Sequence, residues 1–281
     1  MTVLNTYWSV DADRFLGWIA RVSVQIPTSG PAADAEKSEL PLQVVNGVAV
    51  IPVMGVLEKR PNWISDFFGD TTYFAVGRAI QAAAADREVE KILLRIDSPG
   101  GTVDGLSDLG DTIRQVREKK PVIAQVEGLA ASAAYYLASQ ATKIYASRTD
   151  LIGSIGTYMA VYDWSAMFAK EGVKPVVITS GKHKAAGFPG TEITDEQKAE
   201  FQRIVDFYFE DFLTAVSRGR GVAKSVVKAA ADGRVFPAEE AKSMGLIDGI
   251  RTMDETTSVL MGRQNRKSRA KVLLMSQEFN R

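Results

Sequence analysis

The stretch from Lys91 to Ala141 reads KILLRID (91–97), SPGG (98–101), a helical pattern from about Val103 to Glu118, PVIAQVEG (121–128) and AASAAYYLASQA (130–141). Two short apolar runs, each bounded by turn residues, predict strands buried on both faces. A helical pattern follows each, so the order is strand, helix, strand, helix. SPGG is expected to be a tight turn between the first strand and its helix. The alternation continues outward. VAVIPVMG (48–55) predicts a strand and TTYFAVGRAIQAAAAD (71–86) a helix; KIYAS (143–147) and KPVVITSG (174–181) predict strands, and SIGTYMAVYDW (154–164) begins extended. This is the pattern of an α/β fold with a mostly parallel, doubly covered sheet.

After Thr194 the chain predicts a long helix. Thr194 and Gln197 form a capping box, and Phe201, Ile204, Val205, Tyr208, Phe212, Leu213 and Val216 recur at helical spacing. Three segments are expected: an N-terminal appendage and linker (1–45), a core domain (46–252) and a flexible basic tail (253–281). The linker assignment rests on PTSGPAADAEKSELP (27–41), and the tail assignment on GRQNRKSRAK (262–271).

Composition narrows the function classes. The 281 residues carry 34 basic and 34 acidic side chains, without the basic excess of a general nucleic-acid binder. There is no cysteine, which removes disulfides, thiolate metal sites and a cysteine nucleophile. A single histidine, His183, removes a multi-histidine metal site. No apolar stretch is long enough to span a bilayer and the first residues lack a basic signal-peptide start, so a cytoplasmic protein without membrane anchor is expected.

Three stretches carry candidate chemistry. In EGLAASAAYYLASQA (127–141), Ser132 sits among small residues where a strand becomes a helix. A helix N-terminus there offers N–H groups to a developing oxyanion, although a serine at that position also serves simply as a helix cap. In IDSPGGTVDG (96–105), paired glycines leave backbone N–H groups open to a ligand, or merely make a turn. TSGKHKAAGFPG (179–190) is a basic loop holding Lys182, His183 and Lys184. A lysine acting as base must be neutral, and moving its pKa from about 10.4 to near 7 takes roughly 4–5 kcal/mol, which burial can supply.

These stretches, in this order, resemble the signal peptide peptidase A family. The matching segments are Asp97 to Gly101 (DSPGG), Ala130 to Tyr136 (AASAAYY), Gly153 to Gly156 (GSIG), Ser180 to Lys184 (SGKHK), GRVF at 233–236 and Ala241 to Asp248, together covering about residues 47–250. The resemblance implies the crotonase-like fold shared with the Clp protease subunit: repeated β-α units, a mostly parallel sheet, and helical N- and C-terminal appendages. It implies Ser132 as nucleophile and Lys184 as general base and later acid. Ser154 would help hold the lysine, with the N–H groups of Gly101 and Ala133 as oxyanion hole. Ala133 and Ala134 stand where the family commonly has two glycines. His183 is the alternative base, at a variable position of the motif.

The resemblance further implies a serine endopeptidase without metal or cofactor, acting on extended polypeptide as a homo-oligomer in which serine and lysine meet at subunit boundaries. Soluble single-unit relatives act in phage head maturation, which points to capsid, portal or scaffold proteins as partners in a procapsid or host cytoplasm. The alternatives are a cytosolic signal-peptide or protein-degrading peptidase of the same family, a crotonase-type acyl-CoA enzyme, and an inactive scaffolding subunit.

Overall fold

The apolar runs around Val48 and Lys91 form adjacent parallel strands in a computed structural model that describes residues 8–10, 40, 42–60 and 71–261. The strands are β1 (Trp8–Val10), β2 (Gln43–Val45), β3 (Val48–Leu57), β4 (Lys91–Thr102), β5 (Val122–Ala131), β6 (Lys143–Ala146), β7 (Leu151–Gly153), β8 (Val235–Pro237) and β9 (Gly249–Ile250). The helices are α1 (Tyr73–Ala85), α2 (Leu106–Arg117), α3 (Ala133–Ser139), α4 (Ser165–Lys170), α5 (Asp195–Arg220), α6 (Lys224–Ala229), α7 (Ala238–Ser243) and α8 (Met253–Met261). One sheet runs in the order β2-β3-β4-β5-β6-β9. From β3 to β9 its neighbours are parallel, whereas β2 adds to β3 antiparallel. The expected mostly parallel α/β sheet is present.

Both faces of this sheet are covered, which explains why its strands lack polar alternation. Ala49, Ile51 and Val53 of β3 point to the larger core, together with Val76 and Ile80 of α1, Leu109 and Ile113 of α2, and α3. Thr72 caps α1 by accepting from the Ala75 N–H. Val48 and Val50 point the other way, toward Leu93, Ile123 and Met253. Each fully buried Leu, Ile or Val contributes roughly 1.5–3 kcal/mol.

The structure differs from the sequence reading at four places. SPGG is no turn; it lies inside β4, which continues to Thr102. KPVVITSG forms no strand, because no sheet neighbour receives it: Val176 and Ile178 are 82% and 93% exposed. The stripe expected along the long helix is buried only at Phe212, Leu213 and Val216, so the N-terminal half of α5 stands off the core although its capping box is formed as read. Residues 253–261, assigned to the flexible tail, are helix α8 docked on the sheet. Thr256 Oγ1 donates to Gln125 Oε1 (2.5 Å) and Lys91 Nζ to Leu260 O (3.0 Å). The remainder of that tail and most of the N-terminal appendage lie outside the described residues.

Candidate active site

β5 pairs in parallel with β7 as far as Ala131 opposite Gly153. The next residue on each chain is a serine, and both serines leave the sheet with a positive φ: 52° at Ser132 and 50° at Ser154. Such backbone costs an L-residue on the order of 1–3 kcal/mol and persists only where the surroundings hold it. Here the Ser132 N–H donates to Gly153 O (2.8 Å) and the Ser154 N–H to Arg234 O (2.7 Å). From Ser132 the chain turns directly into α3, with the Tyr136 N–H on Ser132 O (2.9 Å). The Ser132 side chain makes no capping hydrogen bond to that helix, which removes the simple cap reading. Ser132 is 1% exposed, Ser154 is buried, and Ala133 and Ala134 are sealed behind them.

The glycine-rich stretch reaches the same place through two bulges. Between β3 and β4 the register shifts from Met54–Asp97 to Val56–Gly100, so Ser98-Pro99 form a bulge. A proline fits there because a bulge spares it a ladder hydrogen bond. The Ser98 hydroxyl closes the bulge, donating to Gly55 O (2.7 Å) and accepting from the Gly100 N–H (3.1 Å). Gly101 must be glycine: a Cβ would lie 1.7 Å from Leu57 O. Between β4 and β5 the register shifts from Ile96–Val126 to Ser98–Ala130. Asp150 anchors this second bulge, accepting from the Gly128 N–H (3.1 Å) and the Ser147 N–H (2.6 Å). Burial pushes the Asp150 carboxyl up; the two amides oppose the shift, and Asp97 and Glu127 add to it.

Sequence reading missed the roles of Ser98, Tyr73 and Arg234. Tyr73 Oη donates to Thr102 O (2.7 Å) and pins the end of β4, while Arg234 acts through its carbonyl. Ser98 was legible as a hydroxyl beside a strand proline; the other two act across folded distances.

Lys184 is placed differently. It lies on an exposed loop whose turn is closed by its N–H on Gly181 O (3.0 Å). His183 is exposed, and Lys182 pairs with Glu196 in solvent (2.5 Å). Burial keeps a lysine neutral, and the single chain does not supply it. The structure brings Ser132, Ser154 and the glycine strand together, and leaves Lys184 outside them.

A cavity of about 130 Å³ lies between α3, α5 and the segments that follow β4 and Ser154. Val103 enters it from the end of β4, Tyr136 from α3, Thr157 from the segment after Ser154, and Phe207 and Phe212 from α5. Tyr136 Oη donates to Asp211 (3.1 Å), and burial with that carboxylate pushes the phenol pKa up.

A family model described as Peptidase family S49 matches residues 114–267, a span containing Ser132, Ser154 and Lys184. The chain belongs to peptidase family S49. A Clp protease family model matches residues 53–150, as the sheet topology leads one to expect. Among S49 relatives, the capsid assembly protease C of Escherichia phage lambda is 35% identical over 237 residues, 84% of this chain and 54% of that protein. The head-tail preconnector protein GP5 of Enterobacteria phage P21 is 34% identical over 218 residues, 78% and 43% of the two chains. The chloroplastic serine protease SPPA of Arabidopsis thaliana is 27% identical over 197 residues, 70% and 29%. The chain spans about half the length of the two phage relatives it matches.

Proposed function

We propose that this chain is a serine endopeptidase of phage head maturation, with Ser132 as nucleophile and capsid, portal or scaffold polypeptides as substrates. The observation that carries the reading is the strained, buried Ser132 held beside Ser154 at the end of the glycine-bearing strand β4. The likeness to the two phage proteins supports the head-maturation setting.

Lys184 serves as base, delivered by a second copy of the chain. The exposed apolar side chains Val176, Ile178 and Phe188 on and beside the lysine loop support a covered interface, since such surface is unfavourable in water. Packed against a neighbour, the same loop loses water and Lys184 becomes neutral. It then takes the Ser132 proton as the oxygen attacks a peptide carbonyl, with Ser154 accepting a hydrogen bond from the ammonium so formed. The N–H groups of Gly101 and Ala133 stabilise the oxyanion. The ammonium next protonates the leaving amine, and water releases the acyl group by the reverse sequence. The cavity beside Tyr136 receives a substrate side chain.

Digestion of an unfolded protein such as casein tests this reading. Fragments are expected from the unaltered chain and none from Ser132→Ala; equal fragmentation by both rejects Ser132.

A further inference from the structure

The short strand β1 runs antiparallel to the end of β4, with Trp8 opposite Thr102, Ser9 opposite Gly101 and Val10 opposite Gly100. A strand has two hydrogen-bonding edges. At Gly100 and Gly101 one edge is taken by Val56 and Leu57 of β3, so β1 holds the other. That other edge is the one β5 follows up to Ser98 opposite Ala130. Two residues further, β4 reaches Gly100 and β5 has reached Ser132, where it departs into α3. β1 therefore fills the slot that β5 vacates at Ser132.

A peptide bond attacked by Ser132 would arrive in extended form along that slot, because it is the edge of β4 that runs past the nucleophile. Strand addition to a free edge is a general mode of polypeptide recognition, in which backbone hydrogen bonds supply affinity. The edge cannot pair with β1 and with an incoming polypeptide together. A strand of three residues offers few ladder bonds and is displaceable.

We infer that the Trp8–Val10 segment is an intramolecular occupant of the polypeptide-binding edge at Gly100–Thr102, and that an extended substrate enters by displacing it. This rests on the peptidase reading for its consequence, though not for the occupancy itself.

The test is a full-length chain carrying Ser9→Pro and Val10→Pro. Successive strand residues turn their N–H groups to opposite edges, so one of the two prolines removes a donor facing β4. Hydrogen exchange is measured in a Ser132→Ala background. Those amides of residues 100–102 that face β1 are expected to exchange at least about tenfold faster in the proline chain, as a vacated edge loses its ladder. A labelled peptide of residues 5–13 binds that chain more tightly than its parent. With Ser132 restored, the proline chain cleaves casein with a KM lowered at least about threefold, because an occupied edge reduces apparent affinity by its free fraction. Unchanged exchange and unchanged peptide binding overturn the occupancy. Lost protection with a raised KM overturns the competition, making β1 part of the substrate site. Should neither chain cleave, the peptidase reading fails while exchange and peptide binding still decide the occupancy. Should the proline chain not fold, inhibition of the unaltered chain by the 5–13 peptide decides it: competitive inhibition is expected, and none overturns the inference.

Discussion

The Ser132 region and the Lys184 region follow opposite rules of construction. Ser132 is 1% exposed, its backbone held by its N–H on Gly153 O of β7 and by the Tyr136 N–H of α3 on its carbonyl, and its surroundings are alanine and sheet. Around Lys184 the chain is irregular, and Ile178 is 93% exposed. Under the proposed mechanism, one chain builds the nucleophile half of the site, whereas the base half is a surface that a second copy would cover. The proposal therefore couples assembly to chemistry at the unburied half, where burial by a neighbour would have to do what the single chain does not.

The largest expected effect lies in the rigid half. Ser132→Ala should lower turnover at least about 10⁴-fold, the scale seen when a catalytic serine is removed, while the melting temperature stays near that of the parent. A drop of tenfold or less in a peptide-cleavage assay places the nucleophile elsewhere. Gly101→Ala comes next. Its Cβ would lie 1.7 Å from Leu57 O, so β3 and β4 must separate; about 3 kcal/mol or more of stability should be lost in urea unfolding, together with activity.

A matched pair then sharpens the contrast. Leu94→Ala, in the sealed core, should cost about 2–5 kcal/mol. Ile178→Lys should leave monomer stability within about 0.5 kcal/mol, yet prevent self-association in sedimentation. A destabilised Ile178→Lys monomer would show that the loop packs on its own chain. A further effect, read on stability alone, concerns the ion pair that joins the end of α5 to β6. Burial pushes the Asp248 carboxyl up, but Arg220 (2.7 Å), the Ile144 N–H and Lys143 outweigh it and hold its pKa below the ordinary value. A depressed carboxylate pKa contributes stability that is present above its unfolded value, 3.8, and lost as pH falls through the folded one. Asp248→Asn should cost about 2 kcal/mol at pH 7 and flatten the acid limb of the stability curve.

Much of the rigid half was legible in the sequence because its signals are local. Continuous apolar runs gave the parallel sheet, and small residues at a strand-to-helix junction marked Ser132. The Thr194–Gln197 capping box started α5 where expected. What escaped depends on tertiary context. SPGG carries turn residues, yet Ser98 closes a bulge and the strand runs on. KPVVITSG has strand composition, but strand composition without a neighbour to pair with leaves an exposed loop. Met253–Met261 falls in a stretch assigned to a basic tail, and is ordered by Gln125 and Lys91, residues more than a hundred positions away.

Mixing two inactive chains tests the central claim most directly. Ser132→Ala retains Lys184, and Lys184→Ala retains Ser132; each alone should be inactive against casein. If the pair forms between copies, co-assembled mixtures regain roughly a quarter of the unaltered rate, the chance that intact halves meet in a randomly mixed symmetric assembly. If co-assembly is verified by mass and no activity returns, the serine and lysine do not meet across copies, and the division of the site into two halves is contradicted.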